Sequence, residues 1–172
     1  METPDRGSAE DAGFERATTD TVTQLANRDG FEIQARHALV VCLRMRMPVT
    51  LLFLGLKQPE AMREALGDVA ADRALVAFAE AMRKVLRGSD ILCHRGGGVF
   101  AALLIDCSAA ATPFVLARLR AALVLASVAS GNSEPLDFSI GGAEFDAERH
   151  STIGQLLDDA DAEMFSQKHA RD

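Results

Sequence analysis

Arg87 and Asp90 stand three residues apart in Arg87-Gly88-Ser89-Asp90, and five residues, Ile91 to Arg95, separate them from Gly96-Gly97-Gly98. A guanidinium gives paired hydrogen bonds to a phosphate, and a carboxylate accepts from N–H donors, so the two groups can face one ligand together. The plainer reading is a solvated ion pair at a helix end, contributing well under ~1 kcal/mol. Other reactive side chains form no set. Cys42, Cys93 and Cys107 are odd in number, widely spaced and in apolar contexts, which reads as reduced core thiols. His37, His150 and His169 are too scattered for a metal site, and His94 reads as a strand residue rather than a ligand. Asp158, Asp159, Asp161 and Glu163 read as the charged outer face of a helix. Arg118 and Arg120 read in the same way.

The elements that must position Arg87 and Asp90 follow from periodicity. Arg87 to Asp106 reads as a helix end capped by Gly88, a short strand, a glycine turn and a buried strand Val99 to Ile105. Upstream, a helix begins near Arg28 with Phe31, Ala35, Ala38, Leu39 and Cys42 on one face, and Pro48 ends it. Val49 to Leu56 is a buried strand. Pro59 opens a short helix closing near Gly67, and Asp72 is an N-cap for a helix carrying Leu75, Phe78, Ala79, Met82 and Val85. Thr112-Pro113 is the cap and first turn of a helix reaching about Val128, Gly131 to Pro135 is a loop, and Leu136 to Ile140 is a strand halted by Gly141-Gly142. Thr152 and Gln155 form a capping box for the last helix. The order is α-β-α-α-β-β-α-β-α around a ferredoxin-like βαββαβ core, an α+β fold with a sheet of mixed direction flanked by helices.

Composition sets the outer bounds. The 172 residues make one domain at 20–172, with 1–19 as a disordered tail or linker. A net charge of −7 excludes non-specific nucleic-acid binding. Residues 1–19 lack an apolar signal region, and no apolar run approaches the roughly 20 residues of a membrane span, so a cytoplasmic location without membrane insertion is expected.

Five strings in sequence carry a resemblance: Asp20-Thr21-Val22-Thr23-Gln24-Leu25-Ala26-Asn27-Arg28, Gly67-Asp68 through Asp72, Gly96-Gly97-Gly98-Val99-Phe100, Ser139-Ile140-Gly141, and Ala160-Asp161 with Met164-Phe165 and Lys168. Together they resemble the GGDEF family of diguanylate cyclases over about residues 20–171. That resemblance implies an enzyme joining two GTP molecules with divalent metal held by hard carboxylates, one after the first strand and one in the signature turn. Here those positions hold Gly55 and Gly98 or Val99, and the next acidic position holds Lys57. Where the family has Phe-Lys and a guanine-reading Asn, this chain has Pro59-Glu60 and Arg63; of the guanine contacts only Asp72 remains. Lys168 is kept, but its partner arginine falls at Asp172. The resemblance thus implies a degenerate, catalytically inactive domain needing no magnesium.

The same resemblance gives Arg87 and Asp90 a role. The family's RxxD motif, five residues before the signature, binds the product c-di-GMP, with an arginine of the following helix, often from a second protomer, completing the site. Arg118 stands at that position. The guanidinium would address phosphate or the O6/N7 edge of guanine, and the carboxylate its N1–H and amino group. The expected function is a c-di-GMP receptor acting through dimerisation or an output protein. The alternatives are a nucleotide-independent interaction module and, third, a GTP-binding regulatory domain.

Overall fold

The computed structural model describes residues 6–57, 59–129 and 135–169. Ten elements follow in order: α1 (Arg6–Thr18), α2 (Arg28–Met45), β1 (Val49–Leu56), α3 (Pro59–Leu66), α4 (Asp68–Val85), β2 (Ile91–Gly96), β3 (Val99–Ile105), α5 (Thr112–Ala129), β4 (Phe138–Glu144) and α6 (Ile153–His169). The strands form one sheet in the order β2-β3-β1-β4.

Every pairing in that sheet is antiparallel, which corrects the expectation of mixed direction. β1 and β2 do point the same way, as a β-helix-β crossover requires. The β2–β3 hairpin, however, folds β3 between them, so β1 meets only antiparallel neighbours. Alternation along the strands then fills two cores. Leu52, Leu54, Phe100, Ala102 and Phe138 face Leu75, Phe78 and Met82 of α4 and Leu119 and Leu123 of α5. Leu51, Phe53, Cys93, Ala101 and Leu103 face Phe31 and Leu39 of α2 and Leu156 and Met164 of α6. β1 and the middle of β3 are buried throughout, matching their unbroken apolar runs.

Local signals resolve in both directions. Asn27 caps α2 through its Oδ1, which accepts from Gly30 N at 3.0 Å. The capping box forms as expected: Gln155 N donates to Thr152 Oγ1 and Thr152 N to Gln155 Oε1, both at 3.3 Å. Gly96 (φ 102°) and Gly97 (φ 55°) supply the left-handed turn of the hairpin.

Five local expectations are corrected. The segment 6–18 is helical rather than disordered, and its end is tied down: Asn27 Nδ2 donates to Ala17 O and Asn27 N to Thr18 O. Gly88 is not a left-handed cap; α4 ends in an extended Leu86. Asp72 lies inside α4, which starts four residues earlier behind Gly67. Thr112 does not cap α5, because its hydroxyl donates to Ala109 O. β4 runs through Gly141-Gly142 instead of stopping there, since α6 crosses so closely that a Cβ at Gly141 would overlap Ala160 O and Met164 N. The predicted loop lies, apart from Pro135, outside the described residues. The 21 residues Ala109–Ala129 also have the length and composition of a membrane span, which two arginines disguise when the string is read only for unbroken apolar runs. In the fold they form the crossover between β3 and β4, with Leu119 and Leu123 in the core.

Candidate functional site

The hairpin and the end of β1 bring the first set of positions together. Gly55 pairs directly with Val99, and Leu56 N donates to Gly98 O at 2.7 Å. The positions assigned to the two metal-holding carboxylates are therefore neighbours, and neither carries a side-chain oxygen. Beside them Lys57 Nζ lies 2.6 Å from Asp137 Oδ2, and this ammonium, with the N–H of Phe138, holds the Asp137 carboxyl below its ordinary value. A divalent cation calls for several hard oxygen ligands. This set offers the Asp137 carboxylate, already paired with a lysine, and the exposed Glu60, whose Oε1 comes within 3.8 Å of where a Cβ on Gly97 would stand; these are too few hard oxygens, so the residues present do not fit the metal. Among the described residues no group of three or more His, Cys, Asp and Glu could hold one. Arg63, at the guanine-reading position, is turned to acids of α4, 3.3 Å from Asp68 and 3.7 Å from Asp72.

The Arg87–Asp90 motif lies at the opposite end of the sheet, in the turn between α4 and β2. The two side chains do not pair. Asp90 Oδ2 accepts from the backbone N–H of Arg87 at 2.8 Å, and Oδ1 from the N–H of Ile105 at 3.0 Å. Asp90 N closes the turn on Arg87 O at 3.0 Å. The carboxylate thus pins the turn to the end of β3. The Arg87 guanidinium is exposed and makes no hydrogen bond or ion pair among the described residues. Arg118 is exposed on α5 and makes no hydrogen bond or ion pair to Arg87 or Asp90. Arg120 lies over the Phe138 ring at 5.1 Å.

A third constellation was not singled out from the sequence. His94 is buried; its Nε2 lies 2.8 Å from Gly97 O, its Nδ1 3.0 Å from Asp20 Oδ2, and its ring stacks on Phe100 at 4.7 Å. The Nδ1 contact is close enough for charge interaction but poorly aligned for a hydrogen bond. Asp20 Oδ2 also accepts from Thr23 N and Oγ1. Burial pushes the Asp20 carboxyl up, but the Thr23 donors and His94 outweigh it and leave it below its ordinary value. His94 is therefore a strut between the leading loop and the signature turn. The signal in the sequence was Asp20 with Thr23, a local turn pattern; its pairing with His94 spans the fold and is not visible locally. Burial pushes the Cys93 thiol up to about 12 and raises those of Cys42 and Cys107 as well.

The model of the family described as "Diguanylate cyclase, GGDEF domain" matches residues 17–172. The chain belongs to this family. It is similar to the diguanylate cyclase TpbB of Pseudomonas aeruginosa, 31% identical over 158 residues that cover 89% of this chain and 35% of that protein. The solved GGDEF domain of TpbB superposes with a TM-score of 0.77 at 29% identity, covering 88% of this chain and 89% of that one. The coiled coil and GGDEF domain of DgcB from Caulobacter crescentus, solved in complex with c-di-GMP, gives 0.82 at 20% identity, covering 95% and 87%, a likeness of fold. The curated relatives are longer: the chain spans between 10% and 41% of their lengths.

Proposed function

We propose that this GGDEF domain is a cytoplasmic c-di-GMP receptor that has lost cyclase chemistry. The observation that carries the reading is Arg87. It sits at the motif's fixed distance from the signature turn, on a turn held rigid by Asp90, with its guanidinium turned to solvent and claimed by no partner among the described residues. A rigidly mounted, unpaired guanidinium is suited to a phosphodiester or to the Hoogsteen edge of guanine. Asp90 keeps lone pairs beyond the two its backbone donors occupy, so it serves both as staple and as acceptor for the guanine N1–H. Arg118 contributes from the same protomer or a second one. The loss of catalysis rests on Gly55 and Val99, paired with no carboxylate between them, and on Lys57, whose charge repels a divalent cation. Binding transmits by dimerisation or by docking an output protein. That DgcB was solved with c-di-GMP supports the ligand class.

Titration calorimetry of c-di-GMP into the whole chain, beside Arg87→Ala and with GTP as control, tests this. The expected result is saturable binding lost in the variant, and no product from GTP with Mg²⁺. The engagement of both Asp90 oxygens by backbone N–H groups favours one other reading: a nucleotide-independent interaction module that keeps the motif for its turn. Absence of heat at high c-di-GMP concentration decides for it.

A further inference from the structure

α5 hides little of its apolar surface. Of its 18 residues only Leu119, Leu123 and Ser127 are buried. Phe114 is 75% exposed, Leu125 71%, Val128 74% and Val124 47%, while Ala117 and Ala121 are exposed between them. Their spacing turns all six away from the sheet as one outward ridge. The four large side chains offer on the order of 500 Å², at the upper end of the largest apolar patch on an ordinary monomer.

Charge is divided across the sheet. α5 holds two arginines and no acidic residue; Arg120 is folded onto Phe138, and Arg118 is exposed beside the ridge. α4, on the same face of the sheet, balances three acidic with three basic residues, and Lys84 among them is exposed. α6, on the opposite face, carries Asp158, Asp159, Asp161 and Glu163. The net charge of −7 therefore resides away from the ridge.

We propose that the ridge docks on an anionic lipid surface, with α5 lying in the plane of the membrane. Crossing it is closed to this helix, because Leu119 and Leu123 belong to the core and α5 joins β3 to β4. Lying at the headgroup level asks for apolar side chains on the outward side and cations at their flank, which the ridge and Arg118 supply. A lipid surface also needs no matching shape. A protein partner on the same ridge would bury on the order of 1,000 Å² in total, the lower limit for a specific complex. Arg118 and Lys84 each favour anionic headgroups by about fivefold. Docking needs no nucleotide, so it stands or falls apart from the receptor reading.

Co-sedimentation of the whole chain with vesicles tests the proposal, using phosphatidylcholine alone and phosphatidylcholine with about 30% phosphatidylglycerol. Circular dichroism confirms that each variant is folded. The wild type is expected to bind the anionic vesicles at least about tenfold more tightly than the zwitterionic ones. Leu125→Glu removes apolar contact and adds a repelled charge, and is expected to lower partition at least about tenfold. Gln34→Glu makes the same change of charge on an exposed site of α2, across the sheet, and is expected to leave partition within about twofold. The chain has no tryptophan, so Phe114→Trp supplies a lone reporter whose emission shifts to the blue on docking. No binding to either vesicle, equal binding to both, a loss with Gln34→Glu as large as with Leu125→Glu, or an unshifted Phe114→Trp emission each overturns the proposal; the first leaves a protein as the cover of the ridge.

Discussion

Replacing Asp90 with alanine separates the two jobs this carboxylate is given. The side chain accepts two backbone N–H groups, Arg87 at 2.8 Å on the exposed side of the turn and Ile105 at 3.0 Å where β3 ends part-buried. A hydrogen bond to a charged acceptor contributes about 1.5–3 kcal/mol when shielded and less in water. Taking about 1 kcal/mol for the exposed bond and about 1.5 for the shielded one gives a loss of about 2.5 kcal/mol. In a domain of this size that lowers Tm by roughly 5–10 °C. Arg87→Ala removes a guanidinium without a partner among the described residues, so stability changes by less than about 0.5 kcal/mol. Urea unfolding of the three proteins measures both numbers, and amide exchange at Ile105 reports whether the end of β3 is released. In the c-di-GMP titration, Arg87→Ala loses binding at full stability, whereas Asp90→Ala loses both. An Asp90→Ala protein as stable as the wild type, with Ile105 still protected, refutes the staple and with it the claim that Arg87 is mounted rigidly.

Other consequences of the geometry are equally open to measurement. Gly141→Ala drives a methyl into the backbone of α6 at Ala160 and Met164, and a loss of more than about 3 kcal/mol in urea unfolding is expected. The Asp20 carboxyl titrates below its ordinary value, so the folded state gains from its ionised form above the unfolded carboxylate pKa, and that gain is lost as pH falls through the lowered folded value. Asp20→Asn is therefore expected to be less stable than wild type at neutral pH and to converge with it in acid. With its thiol pushed up to about 12, Cys93 is expected to resist alkylation in the native protein at mildly alkaline pH and to react only on unfolding, as read by mass spectrometry.

Element order and the buried strands were legible because apolar periodicity is local. Val49 to Leu56 and Val99 to Ile105 announce themselves as central strands, and Thr152 with Gln155 announces a helix start. What escaped was set by contacts distant in sequence. The course of β4 through two glycines depends on α6 pressing against it, and the all-antiparallel sheet depends on where β3 is inserted. A polar, acidic tail reads as irregular until Asn27 is seen holding the end of its helix. The site divides in the same manner. That Gly55 and Val99 carry no carboxylates could be read from their identities; that they face each other could be read only through the alignment of two strands.

This division bears on which parts of a degenerate motif point to function. Asp20 is held by Thr23 and lies against His94, Asp90 by the amides of its turn and of Ile105, and Gly141 by the approach of α6. Each has a structural reason to stand where it does, so none by itself indicates a ligand. Arg87 differs from them. Its backbone serves the turn, but any residue supplies the same N–H and C=O, and its side chain touches nothing that the fold requires among the described residues. A long cationic side chain on a rigid turn, without a structural task, is the part of the motif that ligand binding explains and folding does not. The case for a receptor therefore rests on one guanidinium rather than on a motif of two residues, and the Arg87→Ala titration bears on it directly.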